Sequence, residues 1–143
     1  MYLLDTNVVS ELRKTRTGKA DANVVLWANA VPAGSLFLSA VTIMELDTGI
    51  LLVERRDSAQ GAMLRKWLEG RVLPAFENRI LSVDLAVARR GAQLHVPDRR
   101  SDRDAMIAAT AIVHGMSVVT RNVADFASMP VELVNPWDHA ASP

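Results

Sequence analysis

The sequence of 143 residues contains no cysteine. This absence excludes disulfide bonds, thiolate metal ligands and a cysteine nucleophile, and it favours a reducing compartment, so we expect a cytoplasmic protein. The 16 basic and 16 acidic residues balance, and the formal net charge of zero therefore does not indicate a nucleic-acid or membrane partner. Any site for a charged partner must be local.

Long apolar runs are also missing. No run approaches the roughly 20 residues that a membrane-spanning helix needs, and the N-terminus lacks the basic stretch and apolar core of a signal peptide. We therefore expect no membrane partner. Half of the residues are hydrophobic, and a chain of this length can bury enough of them to form one compact domain, which we predict to cover residues 1–143.

Aromatic residues are few, with three Trp, three Phe and one Tyr. Trp27 and Trp67 occupy helical positions at which core or dimer packing is the better interpretation, and we interpret Trp137 as a C-terminal packing anchor. The three histidines have no partner at metal-ligand or catalytic spacing, so we interpret them as helix-end or surface residues. Neither residue type indicates a site.

Apolar segments of strand length and of helix length alternate along the chain. Strands are expected at 2–4, 36–38, 80–83, 118–120 and 131–134. Helices are expected near 8–12 and at 23–31, 41–53, 59–76, 85–94 and 103–114, with a short one between the last two strands. The segments 41–53 and 59–76 form a helical hairpin in this interpretation. The alternation predicts an α/β fold with a central parallel sheet of about four or five strands, flanked by helices.

Four acidic residues, far apart in the sequence, are expected near the carboxyl ends of these strands. Asp5 directly follows the first strand and Asp125 follows the fourth by a few residues, while Glu45 and Asp104 are expected in the first turns of helices that begin at the same edge. Clustered carboxylates near a buried sheet edge would repel one another without a cation. Oxygen ligands without nearby Cys or His favour Mg²⁺ or Mn²⁺.

Each of these acids also has an interpretation as a helix cap. Asp5 could cap the first helix, and three segments have capping-box spacing, namely 42–45, 101–104 and 122–125. For each acid taken singly, a helix cap is the better interpretation. The presence of four acids at the same sheet edge instead favours a cation site. Asp102 is better interpreted as a solvated acid of a first helical turn, although it could reach a metal-bound water. Three further aspartates, Asp47, Asp84 and Asp98, are interpreted as surface or capping residues.

Five segments resemble, in order, the motifs of PIN-domain ribonucleases, and more closely those of VapC-type toxins from bacterial toxin–antitoxin pairs. The segments are 3–7 (LLDTN), 39–45 with Gly49, 104–111 (DAMIAATA), 120–126 (TRNVADF) and 135–137 (NPW). The last resembles the FitB-like branch, and the resemblance covers nearly the whole chain. It implies a PIN fold and a Mg²⁺-dependent endoribonuclease, with Mn²⁺ as a possible substitute, that hydrolyses RNA to leave a 3′-hydroxyl and a 5′-phosphate.

The resemblance also implies partners and site residues. A cognate VapB-like antitoxin would inhibit the protein, which would be a homodimer and would join the antitoxin in a higher-order complex on operator DNA. The implied catalytic and metal-binding residues are Asp5, Glu45, Asp104 and Asp125, of which the last is expected to support the other three. The implied polar neighbours are Thr6, Asn7, Thr120 and Asn122, although Thr6 and Thr120 fit ordinary turn or cap positions equally well.

Two basic clusters flank these motifs. Arg99, Arg100 and Arg103 are candidates for binding RNA because they lie close to Asp104. The second cluster, within 13–19, could also hold phosphates, but a solvated loop is the better interpretation. Arg121 adjoins the fourth motif and could equally pair with an acid.

Other classes of protein fit less well. A haloacid-dehalogenase-like phosphatase needs a second acid two residues after its first aspartate, where this chain has Asn7, and a receiver domain needs a lysine that Thr120-Arg121 does not supply. Two alternatives stay open: a catalytically silent PIN-fold binding module and a stand-alone RNA-processing nuclease.

Overall fold

A five-stranded parallel sheet lies at the centre of the structure, a computed structural model that describes residues 1–140. The strands are β1 (Tyr2–Leu4), β2 (Leu36–Ser39), β3 (Ile80–Leu81), β4 (Ser117–Val119) and β5 (Leu133–Val134). Their order is β3-β2-β1-β4-β5, and every neighbouring pair is parallel. The predicted α/β fold is confirmed. The single domain over residues 1–143 stays a prediction, and its last three residues lie outside the described ones.

Helices connect the strands and cover both faces of the sheet. They are α1 (Thr6–Arg13), α2 (Ala22–Ala30), α3 (Ala40–Arg56), α4 (Ser58–Trp67), α5 (Leu73–Ala75), α6 (Leu85–Leu94), α7 (Asp102–His114) and α8 (Val123–Phe126). The predicted hairpin is formed by α3 and α4, but its second arm is interrupted by a π-helical segment, Leu68–Val72. Within residues 1–140, no helix has the length and apolarity needed to cross a membrane.

The central strand β1 is buried on both faces. Successive side chains of a strand point to opposite sides, so Leu3 packs in one apolar cluster with Ile107 of α7, and Leu4 packs in the other with Val8 of α1. All four side chains are fully buried. This burial on both faces fixes the position of the residue that follows β1.

Four helix termini meet at the carboxyl edge of the sheet. Helices α1 and α3 directly follow β1 and β2, and α8 begins shortly after β4. Helix α7 ends at Gly115, whose left-handed backbone (φ 67°) forms the C-cap, and β4 starts two residues later. Because α7 therefore runs opposite to the strands, its N-terminus lies at their carboxyl edge.

Candidate functional site

Asp5 occupies the end of β1 and is fully buried. Its Oδ1 accepts a hydrogen bond from the Thr6 amide at 2.8 Å, so Asp5 caps α1 as the capping interpretation predicts. Its Oδ2 accepts from the Thr120 hydroxyl at 2.8 Å and from Asn7 Nδ2 at 3.4 Å. Three neutral groups thus hold this buried carboxylate in place, although they do not compensate its charge.

Glu45 lies in the second turn of α3, which corrects the expectation of a first-turn position. The helix begins earlier than predicted because Ser39 caps it, accepting from the Val41 amide at 3.0 Å. The capping-box interpretation of 42–45 is therefore wrong, since Thr42 is inside the helix and fully buried. The Glu45 carboxylate instead accepts from the Thr6 hydroxyl at 2.6 Å. This hydrogen bond ties α3 to α1.

Asp104 lies in the first turn of α7. Ser101 caps this helix as its spacing predicts, accepting from the Asp104 amide at 3.1 Å. The Asp104 carboxylate turns to Arg103, whose Nη1 lies 2.7 Å from its Oδ1. Its backbone therefore serves the cap while its side chain faces the other acids.

The Arg103 guanidinium lies between three carboxylates. Its Nε donates to Glu45 Oε2 at 2.7 Å, its Nη1 to Asp104, and its Nη2 to Asp5. Burial alone lowers the pKa of this guanidinium, but hydrogen bonds to Glu45 and Asp104 and the charge of Asp5 raise that pKa above its usual value. Arg103 therefore offsets the expected repulsion among the acids. The sequence analysis had assigned this residue to RNA binding instead.

Asp125 is separated from this cluster. It lines the same cavity but is exposed, and the ion pairs of Arg103 go to the other three acids. Asn122 caps α8 without a side-chain hydrogen bond, and its amide donates to the Thr120 hydroxyl at 3.0 Å. The structure thus brings three of the four predicted acids together and places the fourth at the rim.

The remaining polar candidates form one network beneath the acids. Asn7 Nδ2 lies within 3.4 Å of the Thr120 hydroxyl as well as of Asp5, and Asn7 Oδ1 accepts from the Arg121 amide at 3.3 Å. Together with the bonds of Thr6 described above, these contacts connect α1, α3 and the end of β4. Thr6, Asn7 and Thr120 are therefore positioned to orient the carboxylates.

The other basic candidates are engaged elsewhere. Arg99 pairs with Asp102 at 3.2 Å, and Arg100 donates to the Leu94 carbonyl at 2.8 Å and to Ser128. Asp102 is 66% exposed in its side chain, as expected of a solvated first-turn acid. Contacts of Arg99 and Arg100 with RNA stay predictions.

The cavity lined by Glu45, Asp104 and Asp125 has a volume of about 640 Å³, with Asp5 buried behind the lining residues Thr6 and Arg103 that it contacts. Sequence analysis did not assign several of its lining residues to the site, namely Ser10, Glu11, Lys14, Arg121 and Trp137. The Arg121 guanidinium lies over the Trp137 ring, 5.2 Å from its centroid. Trp137 also packs against the core as predicted. Because this packing explains the residue, its sequence position did not indicate that it lines the cavity as well.

The acids suit a divalent cation in their chemistry. In the part of the chain that the structure describes, no group of three or more acidic, His or Cys side chains is arranged to hold a metal ion as it stands. The three carboxylates nevertheless converge on one positively charged group, Arg103, which stands in for a cation. Oxygen donors of this kind are those that Mg²⁺ and Mn²⁺ prefer.

Comparisons with known proteins identify the family. A family model described as PIN domain matches residues 2–131. The chain is 37% identical over 145 residues to VapC ribonuclease Y4jK of Sinorhizobium fredii, with 98% of this chain and 100% of the relative covered. It is 34% identical over 142 residues to toxin FitB of Neisseria gonorrhoeae, with 96% and 99% covered. A chain in the structure of FitAB bound to the IR36 DNA fragment has a TM-score of 0.86 at 32% identity, with 100% of both chains covered.

A parallel α/β sheet with carboxylates gathered at its carboxyl edge defines the class of this protein. Since the family model matches most of the chain, the protein belongs to the PIN-domain family. The resemblance that the five sequence motifs predicted is thereby confirmed.

Proposed function

We propose that this protein is a VapC-type toxin, an endoribonuclease that hydrolyses RNA phosphodiester bonds with Mg²⁺ or Mn²⁺. The convergence of Asp5, Glu45 and Asp104 on a single cationic group carries the proposal, because one positive group already contacts all three carboxylates. Two relatives named as a VapC ribonuclease and as a toxin support the same proposal of a toxin ribonuclease.

The residues divide into ligands and groups that orient them. Asp5, Glu45 and Asp104 would hold the cation. When bound, the cation supplies activation of a water molecule and stabilisation of the charge that develops on the phosphate. Thr6 fixes one oxygen of Glu45, and Thr120 fixes one oxygen of Asp5. Asp125, at the rim, would act through water rather than by direct contact.

We further propose a cognate antitoxin as the protein partner and inhibitor. A similar chain occurs in the FitAB complex on a DNA fragment, which supports a partner that brings the toxin to operator DNA. The homodimer implied by the sequence motifs belongs to the same proposal. The need for an antitoxin distinguishes a toxin from a stand-alone RNA-processing nuclease, which would have no such partner.

The test of the activity is incubation of the pure protein with a panel of RNAs in Mg²⁺ or Mn²⁺. We expect cleavage by the parent, inhibition by a chelator, and loss of cleavage in Asp5→Asn. The matched control is Asp102→Asn, which removes the same charge from an exposed position and should leave cleavage intact.

Two outcomes would contradict the proposal. Cleavage by Asp5→Asn at the parental rate would show that the site lies elsewhere. Absence of cleavage by both proteins, with RNA still bound, would favour the silent binding module.

A further inference from the structure

We infer that Arg103 is an internal counter-ion which a divalent cation must displace, so that Arg103 weakens cation binding at this site. The inference rests on the metal dependence in the proposed function. It concerns Arg103 itself, which the sequence motifs do not assign to the metal site.

The guanidinium occupies one oxygen of each of the three carboxylates. Its three nitrogens each meet a different acid, at Asp5 Oδ1, Glu45 Oε2 and Asp104 Oδ1. The other oxygen of Asp5 accepts a hydrogen bond from the Thr120 hydroxyl, and the other oxygen of Glu45 accepts one from the Thr6 hydroxyl. A cation that binds all three acids therefore competes with Arg103 for Asp5 Oδ1, Glu45 Oε2 and Asp104 Oδ1.

Arg103 and a divalent cation cannot share these oxygens. A Mg²⁺ ion needs its ligands at about 2.0–2.1 Å, and two positive groups at contact distance repel each other strongly in a partly buried site. The Arg103 side chain is 31% exposed, and it lines the open cavity. The side chain can therefore leave the acids by rotating toward solvent while α7 stays in place.

Metal-free protein needs such a counter-ion. Asp5 is fully buried and its neutral partners provide no positive charge, so the positive charge paired with it in this structure is that of Arg103. Arg103 thus holds the three acids together before a cation arrives. The same contacts oppose binding, because they must be broken when the cation takes their place.

The test compares Mn²⁺ binding by calorimetry in the full-length parent, Arg103→Gln and Arg99→Gln. Both substitutions remove one positive charge, but within residues 1–140 the acid that pairs with Arg99 is the exposed Asp102. We expect Arg103→Gln to bind Mn²⁺ at least about tenfold more tightly than the parent, because a competing unit charge is removed at contact distance. Arg99→Gln should stay within about twofold of the parent. Unchanged or weaker binding by Arg103→Gln would overturn the inference.

A second measurement uses the unaltered protein and does not depend on how the variant folds. In an NMR titration with diamagnetic Mg²⁺, the Nε–H resonance of Arg103 should shift as its bond to Glu45 breaks. Arg65 is the internal control, since it pairs with Asp47 and Glu54 away from the cavity and should not respond. An unmoved Arg103 resonance at saturating Mg²⁺ would overturn the inference while leaving metal binding intact. Failure of parent and Arg103→Gln to bind any cation would overturn the inference and the metal dependence together.

Discussion

At the scale of single residues, Asp5 shows how one carboxylate serves both folding and the proposed chemistry. Its Oδ1 caps α1 through the Thr6 amide, and the same oxygen meets Arg103. Capping of α1 and the proposed binding of a cation are therefore not mutually exclusive roles for this residue. The site is built on a group whose position is already required by the turn between β1 and α1.

Asp104 and Asp102 permit a sharp test of the proposed ligands. Both lie in the first turn of α7, so substitution by Asn removes the same charge from the same helix N-terminus. Only Asp104 faces Arg103, and its side chain is 16% exposed against 66% for Asp102. We expect Asp104→Asn to weaken Mn²⁺ binding at least about tenfold, and Asp102→Asn by less than about twofold, as measured by calorimetry. The reverse order would assign the ligand to Asp102.

Arg103 marks the limit of what single residues predict. The position of Asp5 after an apolar strand and the motif around Asp104 indicated two members of the site from the sequence. The contacts of Arg103 with Asp5 and Glu45 join residues 98 and 58 positions apart, so no local spacing reveals them. Adjacency to Asp104 indicated only that Arg103 was near the site. The tertiary arrangement made it a counter-ion.

At the scale of elements, the α3–α4 hairpin depends on a close approach at Gly61. A Cβ built at Gly61 would lie 2.5 Å from Glu54 Cγ and 2.7 Å from Glu54 Cα, which belongs to the backbone of α3. The two helices can therefore pack at this distance only because position 61 has no side chain. Glu45 projects from the same helix α3, so the hairpin also supports the site.

Gly61→Ala should destabilise the protein by about 1–3 kcal/mol, because the helices must separate to admit the methyl group. The matched control is Gly49→Ala in α3, where a Cβ meets nothing within 4 Å and the backbone is helical. That variant should be neutral or more stable by about 0.4–1 kcal/mol. Chemical denaturation monitored by circular dichroism measures both. Equal stability of the two variants would show that the close approach at Gly61 is not needed.

The elements themselves were largely predictable because their apolar spacing is regular. Helix α6 has the predicted bounds and α7 begins one residue earlier than predicted. Helix α3 likewise begins one residue earlier than predicted, because its cap depends on the Ser39 hydroxyl, which is also compatible with a strand end. The π-helical segment Leu68–Val72 has no recognised sequence signal.

At the scale of the whole molecule, the balance of charge limits what the chain can bind alone. Sixteen basic and sixteen acidic residues leave no net charge to attract DNA, and the cavity is lined by four acidic and three basic side chains. The affinity for operator DNA that the proposal includes must therefore come from the partner. In this proposal the chain itself would contribute the cation site and a surface for the antitoxin.

This division of labour predicts different behaviour of the chain alone and with its partner. At about 0.15 M salt the pure protein should not shift a DNA fragment from upstream of its own gene, since it offers no excess of positive charge to replace counterions. Co-expression with the product of the adjacent open reading frame should give a complex that elutes as one species, shifts that fragment and no longer cleaves RNA. A scrambled fragment of equal length is the control for sequence specificity. If the chain alone shifted the fragment as strongly as the complex, DNA recognition would belong to this protein, and the assignment of that role to an antitoxin would be wrong.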